Sequence, residues 1–177
     1  MGNVAAMGDP TGPGDRLRAL GDELVEIHTG LRAELERLRA DVDAHLNGRA
    51  GRPRQLKAHC LAFCSALTRH HTGEDTGAFL HLARRFPDLR PVIVKLEEDH
   101  RLVSGLLHDL ERLLDGIPDE PDEAEARRVM GELDGLAAIL ESHFSFEERR
   151  ILDALDALPP EAGTTESLLG LPARPDG

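Results

Sequence analysis

The chain has 177 residues, a length suited to one domain, and 40% of them are apolar, enough to close a single core. Its formal net charge is -12, with Arg interleaved among Glu and Asp, which disfavours nucleic acid or an anionic membrane as a partner. Trp and Tyr are absent and Phe occurs only five times, so Leu and Ala must fill the interior, and that composition suits helices.

Residues 1–14 carry neither a basic start nor a long apolar run and read as a disordered leader. No stretch reaches the ~20 apolar residues of a membrane span, so the expectation is a cytoplasmic protein. From Asp15, a plausible N-cap, Leu20, Leu24, Leu31, Leu35, Leu38 and Val42 recur at three- and four-residue steps and predict a first helix. Asn47, Gly48 and Gly51 stop it. Pro53 suits the first turn of a second helix carrying Leu56, Phe63, Leu67, His70, Glu74 and Leu82. Gly73 and Gly77 lie inside that stretch and each costs ~1 kcal/mol relative to Ala, so packing or metal must compensate.

Pro87 and Pro91 mark the turn into a third helix with Val92, Leu96, His100, Val103, Leu107, Leu110 and Leu114 on its inner face, closed by Gly116 and Pro118. After an acidic connector at 119–122, a fourth runs through Leu133, Leu136, Leu140, His143, Glu147 and Ile151 to about Leu158. Pro159 and Pro160 break it, and the Gly/Pro/Thr-rich tail, 159–177, reads as disordered. Short connections force neighbours antiparallel, so the expected fold is all-α, an up-down-up-down four-helix bundle over residues 15–158.

Two copies of His-x-x-x-Glu, His70 with Glu74 and His143 with Glu147, sit on these stripes, each followed by a second acid, Asp75 or Glu148. Residues four apart share one helix face, so each pair aims an imidazole and a carboxylate at one point. A lone His precedes each copy, His28 and His100, and the order reads as one half-site written twice. From His28 to the end of its helix is about 19 residues, and from the next helix start to His70 about 16, or roughly 28 and 24 Å of rise. The same count brings His100 and His143 near that level. Four imidazoles and two carboxylates then converge with no Lys or Arg on the inner stripes, and burying them without a cation would cost several kcal/mol.

Imidazole and carboxylate donors without thiolate suit iron or manganese, and there are too many for one ion, so a dinuclear centre with Glu74 and Glu147 bridging or capping is the natural arrangement. His71 rivals His70, making its own pair with Asp75, but the phase of His143, Glu147 and Glu148 favours His70. His45, His59 and His81 lie about three turns, roughly 16 Å, or more from the centre and are at most outer contributors, His59 being the one to watch. Cys60 and Cys64, one turn apart on an apolar stretch, read as reduced buried thiols.

The runs HHTGED at 70–75, EDHRLV at 98–103 and HFSFEER at 143–149 resemble the hemerythrin-like, or HHE cation-binding, family over about residues 20–158. The resemblance implies a four-helix bundle with a non-haem di-iron centre held by His28, His70, Glu74, His100, His143 and Glu147. His71, Asp75, His59 and Glu148 are further ligand or supporting candidates. Oxygen-carrying hemerythrins place a second His one turn after the third-helix ligand, where this chain has Ser104. The resemblance thus implies one iron short of a nitrogen and a centre that reacts with O2, H2O2 or NO rather than protecting bound O2. Some bacterial members use a Tyr ligand, which a chain without Tyr excludes. The leading expectation is a di-iron protein that binds or reduces a small oxidant. The alternatives are a di-iron oxidase or oxygenase acting on an organic substrate, with Gly73, Gly77 and Ala78 giving room for it, and an iron-sensing or iron-donating module.

Overall fold

The computed structural model describes residues 20–47, 53–118 and 122–172; the leader at 1–14 and its boundary at Asp15 lie outside them. Four long helices dominate: α1 (Leu20–Leu46), α2 (Pro53–Thr76), α4 (Arg90–Asp115) and α5 (Glu123–Asp156), with the short α3 (Ala78–Arg85) following α2. There is no strand among the described residues. Helix α1 packs against α2 and α5, and α4 packs against the same two, which closes the ring of an antiparallel all-α bundle. No described helix is long and apolar enough to cross a membrane.

Local chemistry sets the helix ends. Asp122 caps α5 by accepting from the Glu125 backbone N–H while the Glu125 side chain accepts from the Asp122 N–H, so two otherwise unpaired donors are satisfied. Pro87 opens a 3-10 turn, Pro87–Leu89, that leads into α4, whose first turn holds Pro91. The predicted second helix does not run unbroken to Leu82: it ends at Thr76, and Gly77, with φ -118° and ψ -89°, re-aims the chain into α3.

The tail corrects the reading of 159–177 as disordered. A 3-10 turn at Pro160–Ala162 leads to a short helix, α6 (Thr165–Leu169), which Thr164 caps and Gly170 ends in the left-handed region at φ 71°. Leu168 and Leu169 are fully buried. Composition alone misread this segment because two buried leucines suffice when a seat exists for them, and Gly73 of α2 with Gly77 at the α2–α3 break provides that seat. Residues 173–177 lie outside the described ones.

The apolar interior is in two parts. Leu31, Leu38, Phe63, Leu67, Val103, Leu133 and Leu140 belong to the larger, and Leu20, Leu24, Phe79, Leu82, Leu96, Ile151, Leu155 and Leu169 to the smaller. Between these two apolar halves lies a polar layer.

Candidate metal centre

That layer holds seven side chains. His28 comes from α1, His70, His71 and Glu74 from α2, His100 from α4, and His143 and Glu147 from α5, all buried. The i, i+4 stripes do what the spacing predicted: His70 Nε2 lies 3.5 Å from Glu74 Oε1, and His143 Nε2 lies 3.6 Å from Glu147 Oε2. Glu74 Oε2 faces His100 Nε2 at 3.6 Å, and Glu147 Oε2 faces His28 Nε2 at 3.4 Å. The donors form two close groups, His28 with His70, Glu74 and Glu147, and His71 with His100 and His143. Glu74 turns one oxygen to each.

His71 changes the expected donor set. It is an inner member, its ring stacked on His100 at 3.9 Å between centroids, and it joins His70 rather than replacing it. Consecutive helical residues point about 100° apart, so two neighbours can both reach a centre wide enough to span from α1 to α4. The site therefore has five imidazoles, and the nitrogen that Ser104 does not provide has a counterpart in His71. Ser104 in place of a histidine therefore gives no reason for reactivity toward an oxidant.

The acids after each Glu have a separate task. Asp75 accepts from His100 Nδ1 at 2.7 Å, and Glu148 accepts from His28 Nδ1 at 2.9 Å. Each acid thus reaches from its own helix to the single His of a neighbour and leaves that ring's Nε2 pointing inward. Arg32, absent from the sequence reading, donates to Glu148 at 2.9 Å and to Glu141 at 2.6 Å, so the Glu148 carboxylate is itself braced. Another missed residue, Asp99, approaches His143 Nδ1 at 3.8 Å. His59 is outside the centre, paired with Asp41 and Glu34, and neither His45 nor His81 belongs to the donor groups. Cys60 and Cys64 face each other at 3.7 Å in the larger apolar half.

Electrostatics tests whether a cation fits. Burial lowers the pKa of His70 to about 3 and of His143 to about 4, and holds that of His71 well below the usual imidazole range. Burial opposes charge on His28 too, but Glu147 and Glu148 outweigh it and raise its pKa. Burial and the Glu147 carboxylate push Glu74 well above the usual range; Glu147, despite its own burial, is held down by His28, His143 and His70. Both oxygens of Glu74 and of Glu147, and Nε2 of His71, His100 and His143, are buried without a hydrogen-bond partner. No Lys or Arg among the described residues pairs with either Glu. Buried imidazole nitrogens and carboxyl oxygens aimed at one another, most without a hydrogen-bond partner and with no Lys or Arg beside them, are a metal donor set.

Fold and site together define a helical-bundle cation-binding protein. The family model for the hemerythrin HHE cation binding domain matches residues 20–155, and the chain belongs to that family. Comparison with curated proteins gives no significant match, and neither does comparison with solved structures.

If the acids after each Glu orient the ligand rings, Asp75→Ala and Glu148→Ala will each weaken metal binding by about 10- to 100-fold, the usual effect of losing such a partner. Asp41→Ala, which frees His59 outside the centre, will leave affinity unchanged. Chelator competition measures all three. Equal affinities across the set would remove the orienting role.

Proposed function

We propose that the chain is a non-haem di-iron protein whose centre binds or reduces a small oxidant, O2, H2O2 or NO. His28 and His70 would hold one iron and His71, His100 and His143 the other, with Glu74 and Glu147 shared. Mixed imidazole and carboxylate donors, with both thiols in a separate apolar region, favour iron over structural zinc. Bound iron supplies redox chemistry and positions for a small ligand.

One observation carries the oxidant reading. A pocket of about 190 Å³ between α2 and α4 has buried His71 and His100 as its floor and exposed Thr68, Thr72, Arg101 and Ser104 at its rim. A small polar molecule in it would lie against the rings of His71 and His100, whose Nε2 atoms are buried behind them, without the bundle opening. Hydroxyls, a guanidinium and Asp75 line the way beside Leu107, and these polar groups suit an oxidant whose reduction consumes protons. The organic-substrate alternative loses support: the tail fills the room expected at Gly73 and Gly77, Ala78 is fully buried in the smaller apolar half, and this pocket is smaller than the ~300–1,000 Å³ usual for drug-sized ligands. Nothing observed favours the sensing or donating module.

Anaerobic loading with Fe(II), followed by metal analysis and addition of H2O2, O2 or NO, tests the reading. The expected result is about two irons per chain, as in bundle di-iron sites, with rapid spectral change on adding oxidant. Binding of zinc alone, or inertness of the iron-loaded protein toward all three oxidants, would overturn it.

A further inference from the structure

The tail beyond residue 155, outside the matched family region, reaches the metal centre itself. The His70 ring places Nδ1 2.9 Å from the Leu169 backbone oxygen. A carbonyl can only accept, so Nδ1 must carry the proton, and Nε2 is left as the lone-pair nitrogen facing Glu74 and His28. His28 and His100 obtain the same orientation from Glu148 and Asp75. His70 obtains it from main chain.

The seat is built for that contact. A Cβ on Gly73 would lie 2.2 Å from Gly170 N, and one on Gly77 would lie 2.5 Å from Ser167 O. A Cβ on Gly170 would lie 1.9 Å from Arg69 O, at a φ of 71° that already favours glycine. Gly73 of α2 and Gly77 just beyond its end thus make a notch, and the third glycine lets the tail backbone lie against the turn that carries His70. Leu168 and Leu169 anchor it in the smaller apolar half, Thr165 donates to Glu23 of α1, and Arg69 donates to Gly170 O at 3.4 Å.

We infer that the segment at 163–171 is a working part of the metal centre, with the Leu169 carbonyl as the positioning group for His70. The inference rests on the proposed role of His70 as a ligand. The seat, not the stability of the bundle, is what the loaded centre needs from this segment.

The test uses the full chain with Gly170→Ala, beside Leu133→Ala, which opens a cavity in the larger apolar half. Iron affinity is measured by chelator competition under conditions where each metal-free variant is folded. Gly170→Ala should lose about 10- to 100-fold in affinity for one of two irons and retain the other, whereas Leu133→Ala retains both. Equal behaviour of the two variants would overturn the inference while leaving the di-iron reading intact; absence of iron binding in the unsubstituted chain would overturn both. A second measurement needs no variant. In the unsubstituted chain loaded with zinc(II) as a diamagnetic probe, the His70 Nδ1 proton should resonate far downfield, exchange slowly and show a nuclear Overhauser effect to Gly170. A rapidly exchanging His70 Nδ1 proton would overturn the inference.

Discussion

Replacing Glu74 with Leu will move stability in opposite directions in the metal-free and metal-loaded protein. Without metal, Glu74 is a fully buried carboxyl whose two oxygens have no hydrogen-bond partner, pushed toward its neutral form by burial and by Glu147. Substituting a buried ionisable group by an apolar residue of similar volume is commonly neutral or stabilising by about 1–4 kcal/mol, so the metal-free variant should need more urea to unfold. With metal the sign reverses. Glu74 faces both His70 and His100, and its loss removes a donor from each half of the centre. Iron should fall from about two ions per chain to one or fewer, and the melting rise on loading should largely disappear, because that rise scales with affinity for the native state. Urea unfolding with and without chelator, beside metal analysis, reads both effects. A variant that keeps both irons would show that Glu74 is not a shared ligand, and one that is less stable in both states would point to a packing role.

Much of this site was legible because helical periodicity is a strong constraint. The i, i+4 pairs His70–Glu74 and His143–Glu147 fall where the stripes place them, and the rise per residue brings His28 and His100 to the same layer. His71 was judged by a rule too narrow for the centre: matching the phase of the two copies admits one His per copy, while a centre between four helices is wide enough to take adjacent residues of α2. Asp75 and Glu148 were noted as acids beside the motif, but their reach across to His100 and His28 depends on helix–helix registry, which a single stripe does not encode. The tail was missed because its composition resembles a linker. Two local signals were present nonetheless: Thr164 and Ser167 have capping spacing ahead of Leu168 and Leu169, and Gly73 and Gly77, four residues apart, leave one side of the chain at the end of α2 free of side chains.

Filling the pocket between α2 and α4 should abolish reaction with oxidant while sparing the metal. Ser104 is exposed at the rim, one turn beyond His100, and its side chain is not among the donor groups. In Ser104→Phe the ring can occupy much of the 190 Å³ above His71 and His100. Iron content should stay at about two per chain, since all seven donors and the carboxylates on His28 and His100 remain, but H2O2 consumption should fall by tenfold or more. Thr72→Phe, entering from α2 on the other side of the same opening, should act alike. A bulky residue at Leu61, exposed on α2 and outside the pocket lining, should do nothing. The comparison separates access from ligation because slow access lowers the second-order rate with peroxide and leaves the metal affinity and resting spectrum unchanged. Unchanged peroxide consumption in both rim variants would mean that the oxidant enters elsewhere, and loss of iron in either would place the rim residue in support of the centre instead of on its approach.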